Sequence, residues 1–537
     1  MSARTTDEGS GSGRPEPTVP TAPVARPTTP APVTALTAYG EVGGERLGER
    51  GALRFLGVPY AADPVGDLRF RPPARPAAWS GVRDCVTASP APPQGPDALL
   101  EDVVGYERIV TDEAGCLTVN VWTPATTGRR PVMVWVHGGG YVQGRGLQVW
   151  TDGARLAERH DVVVVSFNYR LGALGWLDVA HLLGADYAQS ANLGLQDQIA
   201  ALAWVRDNIG HFGGDSGSVT VFGESAGGGS VAMLLGAPAA RPLFHRAILQ
   251  SAPATATRTR AEAAEVADAF AAVLCETTGS ADLSVLTASA GQLLAAQQEL
   301  MSRNPVDMLP FAPVVDGSVL PLPPVQALRN GACAHIPLIA GTNEHEGRLF
   351  TGLGPEVAPE AFEAALASAF PDRERAARAR ALYEAYEGPA AAAPTASLAA
   401  LLTDLLFRSQ TDALLDAQAA GGGTVWSYLF REPTPALGGG LGAAHTLDIP
   451  YAFDTLDGPG LRSWLGDAPP QELADAMSGA WVHFARHGTP VAASLPRWPR
   501  FDPEGRPTMI LGGPEGSRVA RDPLGDRREL WQEGRER

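Results

Sequence analysis

The sequence of 537 residues contains no lysine, because all 42 residues of its Lys+Arg total are arginine. This absence excludes chemistry that depends on a lysine amine: the P-loop lysine on nucleotide phosphates, a Schiff base with pyridoxal phosphate or a carbonyl substrate, and a Ser-Lys nucleophile pair. Chemistry carried out by serine, histidine, carboxylates, cysteine or a metal remains open.

Cysteine is scarce as well. The four cysteines include no C-x-x-C pair, so we expect no metal site and mostly buried free thiols, with a Cys85–Cys116 bridge as the alternative. No apolar run approaches the length of about 18 residues that a membrane span requires, and residues 1–12 lack an apolar signal core. The sequence therefore predicts no membrane span and a cytoplasmic protein.

Basic charge is in deficit, with 59 acidic against 42 basic side chains and a formal net charge of -17. Such a balance repels nucleic acid and anionic membranes, so neither is expected as a partner. Because 45% of the residues are hydrophobic, the chain can bury a large core. We expect a monomer or weak homo-oligomer that acts on a small molecule without a cofactor.

The order of apolar and helix-like segments indicates an α/β fold. Runs of strand length alternate with helices, as in a mostly parallel sheet with crossover helices. We predict a catalytic domain over residues 35–517, with helical insertions at about 255–310 and 355–420 that cover the ligand edge of the sheet. The predicted strands include Pro131–Val136, Val162–Phe167, Ser218–Phe222, Ala247–Gln250 and Ile336–Ala340.

Both ends of the chain differ in composition from this domain. Residues 1–34 are rich in Pro, Thr and Ala and are predicted to form a disordered tail. Residues 518–537 are dense in Arg, Asp and Glu, and we predict a charged tail there unless Leu530 and Trp531 anchor it.

A G-x-S-x-G motif is the first candidate for chemistry. The strand Ser218–Phe222 runs into Gly223-Glu224-Ser225-Ala226-Gly227, and a helix follows. A serine on such a turn has a strained backbone that holds its hydroxyl clear of the sheet, and the flanking glycines permit close packing. In a chain with 61 glycines the motif can arise by chance, so its strand-turn-helix context carries the prediction that Ser225 is a nucleophile.

Glycines after a second strand are typical of an oxyanion hole. His137-Gly138-Gly139-Gly140-Tyr141 follows Pro131–Val136. Acyl transfer places negative charge on a carbonyl oxygen, and backbone N–H groups can approach that oxygen where no Cβ intervenes. An ordinary glycine-rich loop is the alternative, but the two motifs in this order favour an acyl-transfer site.

An α/β hydrolase also needs an acid and then a histidine after the serine. His445 lies in a loop of small residues, where its imidazole is free to reach a cleft, whereas His245 and His483 are expected in packed or surface positions. The turn after the strand Ile336–Ala340 contains two candidate acids. Spacing does not choose between Glu344 and Glu346.

With these residues the chain resembles the type-B carboxylesterases, the cholinesterase-like branch of the α/β-hydrolase fold. The resemblance extends from about Leu36 to Leu511. Segments that carry it include Phe55-Leu56-Gly57-Val58-Pro59-Tyr60-Ala61, Asn168-Tyr169-Arg170-Leu171-Gly172, Asn192-Leu193-Gly194-Leu195-Gln196-Asp197-Gln198, Leu243-Phe244-His245-Arg246-Ala247-Ile248 and Trp498-Pro499.

The resemblance implies roles for individual residues. The implied catalytic triad is Ser225 as nucleophile, His445 as general base and Glu346 as the acid that orients it. The implied oxyanion donors are the backbone N–H groups of Gly139, Gly140 and Ala226. Ser251 matches a serine that supports the acid, and Arg170 with Asp197 matches an internal ion pair of the family.

Two positions depart from the family pattern. Ala114 and Gly115 stand where the family has acidic residues before its cysteine, which leaves Arg69 without an acidic partner unless Glu113 substitutes. Cys85 does not fall where the family has its partner cysteine, which disfavours a disulfide and favours an intracellular protein.

The predicted function is a serine carboxylic ester hydrolase that forms an acyl-enzyme. One alternative is the same triad acting on carbamates, amides or thioesters, or in the tailoring of a specialised metabolite. A second is a non-catalytic adhesion protein, which the complete triad disfavours. Tyr141 and Trp150 are candidates for an apolar substrate pocket, with plain core as their alternative, and Arg145 is a candidate for binding a substrate carboxylate, with an ordinary ion-paired arginine as its alternative.

Overall fold

The computed structural model describes residues 33–48, 51–96, 109–280, 284–304, 307–351, 357–386 and 394–533. The predicted tail over residues 1–34 lies outside these ranges, except for its last two residues, which begin the first strand. Among the described residues no helix is long and apolar enough to cross a lipid bilayer.

Strands and helices alternate through most of the chain. The strands of the described residues are β1 Val33–Thr37, β2 Gly40–Arg46, β3 Leu53–Pro59, β4 Val82–Asp84, β5 Thr118–Thr123, β6 Arg130–Val136, β7 Val163–Phe167, β8 Gly214–Glu224, β9 Arg246–Gln250, β10 Arg258–Thr259, β11 Val314–Val315, β12 Leu338–Asn343, β13 Val425–Phe430, β14 Pro507–Leu511 and β15 Arg518–Arg521.

The α-helices of the described residues are α1 Ala154–His160, α2 Gly172–Trp176, α3 Ala180–Leu183, α4 Leu193–Asn208, α5 Ala226–Gly236, α6 Arg260–Thr278, α7 Ala290–Arg303, α8 Pro324–Arg329, α9 Arg348–Thr351, α10 Pro359–Ala369, α11 Arg373–Tyr386, α12 Pro394–Thr403, α13 Ser409–Ala420, α14 Ile449–Phe453, α15 Arg462–Leu465, α16 Gln471–His487 and α17 Gly525–Gln532. A π-helix, Asp404–Arg408, joins α12 to α13. Short 3₁₀ turns are Gly66–Leu68, Val149–Thr151, Ala185–Tyr187, Ser190–Asn192, Ile209–Phe212, Arg241–Leu243 and Ala436–Gly439.

One large sheet organises the fold. Its strand order is β1-β2-β3-β5-β7-β6-β8-β9-β12-β13-β14-β15, with β4 paired to β2. The run from β7 to β14 is parallel, while β1, β2, β3 and β5 on one side and β15 on the other are antiparallel to their neighbours in this order. The prediction of a large, mostly parallel sheet flanked by helices is confirmed.

The central strands are apolar on both faces, which explains why they read as continuous hydrophobic runs. In β6, Val132 and Val134 belong to one buried apolar cluster, whereas Met133 and Trp135 between them belong to another. Successive side chains of a strand point to opposite faces, so a separate core covers each face of the sheet. The carboxyl ends of β8 and β12 therefore emerge from a rigid scaffold.

The carboxyl-terminal segment differs from the charged tail that composition predicts. Residues Arg518–Arg521 form the edge strand β15, and α17 packs through Leu530, which is 2% exposed, against helices of the second insertion. Arg527 is equally buried and pairs with Asp404. Local composition does not reveal these partners because they lie more than a hundred residues away along the chain.

The two departures from the family pattern have structural outcomes. All four cysteines are free, so Cys85 and Cys116 form no bridge. Glu113 supplies the acidic partner of Arg69, whose Nε lies 2.8 Å from Glu113 Oε2. The ion pair between Arg170 and Asp197 is also present and buried, with its guanidinium and carboxylate joined by two hydrogen bonds of 2.7 Å.

Candidate functional site

Ser225 alone forms the turn between a strand and a helix. β8 ends at Glu224 and α5 begins at Ala226. The Ser225 backbone has φ 56° and ψ -129°, a strained conformation for a residue with a side chain. Its amide donates to the Gln250 carbonyl at 3.0 Å, and the Gly229 amide donates to the Ser225 carbonyl at 2.8 Å. This is the strand-turn-helix geometry that the motif predicts.

Glycines beside this turn permit a close approach that a side chain would prevent. A Cβ at Gly227 would lie 2.1 Å from the carbonyl oxygen of Val136, at the end of β6. A Cβ at Gly138 would lie 3.1 Å from the Cβ of Ser225. The glycine loop after β6 therefore lies directly against Ser225.

Three backbone amides at this contact have no hydrogen-bond acceptor. Neither Gly139 nor Gly140 donates to an acceptor in the part of the chain that the structure describes. Ala226 is the first residue of α5, and the first amides of a helix lack a partner within it. The amides that the resemblance implies as oxyanion donors are thus available to a ligand.

His445 and Glu346 form a buried pair at the same end of the sheet. His445 Nδ1 lies 2.6 Å from Glu346 Oε2. The other carboxylate oxygen, Oε1, accepts hydrogen bonds from Ser251 Oγ and from the Asn343 amide, both at 2.6 Å. Glu346 is 0% exposed and His445 is 3% exposed. Donors on both oxygens hold the carboxylate in place, and the carboxylate in turn orients the imidazole.

The two candidate acids of the turn after β12 face different partners. Glu344 pairs with Arg431, whose Nε donates to Glu344 Oε2 at 2.9 Å and whose other nitrogen lies 2.8 Å from Oε1. Glu346, two residues later, is the acid that meets His445. The choice that spacing leaves open is therefore made by Arg431, which lies next to the end of β13.

A second carboxyl group lies on the other side of the imidazole. Glu224 Oε1 is 3.3 Å from His445 Nε2, and Glu224 is 1% exposed. Within the described residues no hydrogen bond joins the Ser225 hydroxyl to His445. Burial raises the pKa of Glu224 to about 8. Burial also works against an imidazolium at His445, but the Glu224 and Glu346 carboxylates prevail and raise the pKa of His445 to about 9.

A buried polar network lies behind this pair. Asp448 accepts hydrogen bonds from Gln250 Nε2 at 2.8 Å and from the Tyr428 hydroxyl at 3.0 Å. Asn343 Nδ2 approaches it at 3.3 Å. Burial raises the pKa of Asp448 to about 6. The network therefore adds a further acidic group near the imidazole of His445.

Two phenylalanines cover the open side of the imidazole. The Phe407 ring is stacked on the His445 ring, with centroids 4.4 Å apart and planes inclined by 29°. The Phe350 ring lies 5.4 Å from His445 and 6.0 Å from Phe407. Phe350 is 40% exposed, so the apolar cover extends from the buried imidazole to the surface.

The predicted aromatic pocket residues are core side chains instead. Tyr141 is 0% exposed, and its ring packs 4.9 Å from that of Trp176. Trp150 is 3% exposed and lies within the second apolar cluster, where its N–H donates to Gln148 Oε1 at 2.6 Å. The burial of both rings favours plain core, the alternative to a pocket lining. Arg145 is half-buried in the segment after the glycine loop and remains a candidate.

Of the other histidines after Ser225, three lie away from this site and His345 lies beside it. His245, His335 and His487 line a surface cavity beside Arg246, where β9 begins, and thus at the opposite end of the strands. His345 accepts from the Ala443 amide at 3.2 Å. Among the histidines of the described residues, His445 is the one that contacts Glu346.

Sequence reasoning assigned no role to several residues of the site. Glu224 stands inside the motif as the residue before Ser225, so its position was visible although its approach to His445 was not. Asp448 follows His445 by three residues, a spacing that could have drawn attention to it. Phe407 is 38 residues before His445 in a helical insertion, and no local pattern connects the two.

Comparison with known proteins identifies the family of the chain. Residues 31–528 match the model of the carboxylesterase family. The chain is 38% identical over 481 residues to a para-nitrobenzyl esterase of Bacillus subtilis (strain 168), covering 88% of this chain and 94% of that protein. It is 38% identical over 486 residues to a fumonisin B1 esterase of Sphingopyxis macrogoltabida, covering 86% of this chain and 84% of that one.

A solved structure gives the same result for the fold. The carboxylesterase of Geobacillus stearothermophilus determined at pH 6.2 is similar with a TM-score of 0.81 and 35% identity, covering 93% of this chain and 100% of that one. The match includes the large sheet and its flanking helices, so the predicted α/β-hydrolase fold is confirmed. The chain therefore belongs to the carboxylesterase family and is an ester-hydrolysing enzyme.

Proposed function

We propose that the enzyme is a serine carboxylic ester hydrolase with the triad Ser225, His445 and Glu346. The observation that carries the proposal is the 2.6 Å contact between His445 Nδ1 and Glu346 Oε2, in a buried site at the sheet edge where Ser225 forms its strained turn. A base that is oriented by an acid at the same site as a serine hydroxyl is the arrangement that activates a nucleophile.

In the proposed reaction the Ser225 hydroxyl attacks the ester carbonyl while His445 Nε2 accepts its proton. The amides of Gly139, Gly140 and Ala226 stabilise the oxyanion of the tetrahedral intermediate. His445 then donates the proton to the leaving alcohol. Water next attacks the acyl-enzyme while His445 takes its proton, and His445 returns this proton to the Ser225 oxygen as the carboxylic acid leaves. Glu346 keeps Nδ1 protonated throughout, so that Nε2 is the nitrogen that exchanges the proton.

The substrate class is tested with a panel of p-nitrophenyl and alkyl esters beside matched carbamates and amides of graded chain length. We expect the esters to have the highest kcat/KM, because electron donation from nitrogen makes the carbonyl carbon of a carbamate or an amide less electrophilic than that of an ester. Turnover confined to carbamates or amides would contradict the ester assignment while leaving the triad in place.

The pH dependence is expected to depend on Glu224. Turnover requires a neutral His445, whose pKa is raised to about 9, so kcat/KM should rise with pH through the neutral range. Glu224→Gln removes a carboxylate that favours the imidazolium, and it should move the acidic limb to lower pH by about one unit. The measurement is kcat/KM between pH 5 and pH 10 (roughly the range over which histidine titrates).

Glu344→Gln is the matched control for this prediction, because Glu344 pairs with Arg431 and not with His445. The control should leave the limb unchanged. If the acidic limb of the kcat/KM profile stays at the same pH or moves to higher pH in Glu224→Gln, the role given to this carboxyl group is contradicted.

Arg145 is proposed to favour substrates that carry a carboxylate. Arg145→Ala should lower the ratio of kcat/KM for a hemisuccinate ester to that for a matched neutral ester by about tenfold, the effect of losing a charge-assisted hydrogen bond. Arg129→Ala removes an arginine that is 81% exposed and should leave the ratio unchanged. An unchanged ratio in Arg145→Ala would show that this arginine does not bind the substrate.

A further inference from the structure

One helical segment contacts the base of the triad and the residue that follows the acid. It consists of α12 and the π-helix Asp404–Arg408 that follows it. At the end of α12, Thr403 Oγ1 accepts from the amide of Gly347, the residue after Glu346, at 2.9 Å. Within the π-helix, Phe407 stacks on His445. The position of this segment therefore bears on Glu346 and on His445 together.

The π-helix gives Phe407 its direction. The Ser409 amide donates to the Asp404 carbonyl, five residues earlier, which widens the turn by one residue relative to an α-helix. Such a turn is less regular than the α-helices on either side of it and is frequent at functional sites. Its geometry therefore depends on interactions from outside the segment.

A buried arginine of the carboxyl-terminal helix supplies that interaction. Arg527 in α17 donates to both carboxylate oxygens of Asp404, from Nε and from one terminal nitrogen, each at 2.6 Å. The same terminal nitrogen donates to the Ala400 carbonyl at 2.9 Å. Arg527 is 2% exposed and Asp404 is 1% exposed. The pair thus ties the first residue of the π-helix to a helix that lies 123 residues later in the chain.

Two further hydrogen bonds complete this anchor. The Tyr383 hydroxyl donates to Asp404 Oδ2 at 2.9 Å, and it accepts from the indole N–H of Trp531 at 2.8 Å. Both α17 and α11 therefore converge on Asp404. The cost of desolvating both charges offsets much of the attraction within a buried ion pair, whereas removal of one partner leaves the other charge buried without it.

We propose that Arg527 is a positioning residue for the catalytic histidine. Paired with Asp404, it holds the π-helix so that the Phe407 ring keeps the His445 imidazole aligned with Glu346. The inference rests on the proposed function, in which His445 is the general base. Without Arg527 the Asp404 carboxylate keeps the Tyr383 hydroxyl at 2.9 Å and has Arg408 Nε at 3.5 Å. It loses the two-pronged contact that ties the π-helix to α17, and we expect the π-helix to shift with Phe407.

The test compares Arg527→Gln with Phe407→Leu in the full chain. We expect Arg527→Gln to lower kcat by about 10- to 100-fold with KM changed by less than about threefold, because small misplacements of a reacting group cost rates of this size. Phe407→Leu should lower kcat by about tenfold. If both act through the same contact, the double variant should lose no more than the larger single loss.

Arg506→Gln is the control for a purely structural role. Arg506 is also a buried arginine, 7% exposed, and it pairs with Asp412 and Asp416 of α13, beyond the π-helix. Its loss should lower the melting temperature as Arg527→Gln does, yet leave kcat within about twofold. Arg527→Lys keeps the charge without the two-pronged contact, and we expect it to recover part of the lost kcat.

A spectroscopic measurement separates this inference from the proposed function. In ¹⁵N-histidine-labelled protein the Nδ1 proton of the 2.6 Å contact with Glu346 should give a strongly downfield signal, assigned by its loss in His445→Gln. We expect Arg527→Gln and Phe407→Leu to broaden or abolish this signal and Arg506→Gln to retain it.

The outcomes are distinct. A signal lost in Arg527→Gln, in a protein without esterase activity, would support the positioning role while contradicting the proposed function. An active enzyme whose signal and kcat both survive Arg527→Gln would overturn the positioning role and leave the function intact. Independent, multiplying losses in the double variant would likewise overturn it.

Discussion

Ser225→Ala is expected to lower kcat for p-nitrophenyl ester hydrolysis by about 10⁴-fold or more, while the protein remains folded. The reason is that in the proposed mechanism the Ser225 hydroxyl forms the covalent intermediate. A loss of this size corresponds to about 5.5 kcal/mol of transition-state stabilisation. Steady-state kinetics and circular dichroism melting on the same preparations provide the measurement.

Ser218→Ala is the matched control for this loss. Both serines are half-buried, and Ser218 lies in β8, the strand that leads to Ser225. Its hydroxyl accepts from Arg246 at 3.3 Å at the far end of the strand, so the substitution should leave kcat within about twofold. Retention of most activity in Ser225→Ala would mean that the nucleophile lies elsewhere.

Glu346→Gln is expected to lower kcat by about 10³- to 10⁴-fold, the second large effect. The carboxylate accepts hydrogen bonds from Ser251, Asn343 and His445, whereas a glutamine offers a single acceptor oxygen. If that oxygen faces the Asn343 amide, the NH₂ group faces His445 Nδ1 and stabilises the wrong tautomer. Nε2 then carries a proton and cannot accept one from Ser225.

Glu344→Gln in the same turn should change kcat by only a few-fold. Glu344 pairs with Arg431, which is 30% exposed. When Glu344 loses its charge, solvent can still hydrate the Arg431 guanidinium. The reverse pattern, a severe loss in Glu344→Gln and a mild one in Glu346→Gln, would show that Glu344 and not Glu346 orients the histidine. Both variants should keep the melting temperature close to that of the parent enzyme if the difference is catalytic.

The parts of the site that the sequence predicted are those that depend on local geometry. The strained turn at Ser225 and the glycine loop after β6 follow from strand ends, glycines and chain order alone, and the structure has both. The acid could not be chosen in this way, because Glu344 and Glu346 leave the same strand two residues apart. Arg431, which comes from the neighbouring strand, decides which of them turns inward.

Contacts between distant segments were beyond a local reading. The segment after residue 518 is strongly charged, so its composition predicts a tail, yet one arginine in it finds a buried carboxylate 123 residues away. Tyr141 follows the glycine loop and could have faced a pocket, but its ring packs against that of Trp176 in the core. Such outcomes depend on tertiary packing, which periodicity and spacing do not encode.

The most direct test of the proposed mechanism is covalent labelling with a fluorophosphonate. Ser225 should displace fluoride and form one phosphonyl adduct per chain, which peptide mass spectrometry should locate at this serine. Ser225→Ala should remain unlabelled, and Glu346→Gln should react far more slowly. Labelling at another residue, or an active enzyme that resists the reagent, would contradict the assignment of Ser225 as the nucleophile.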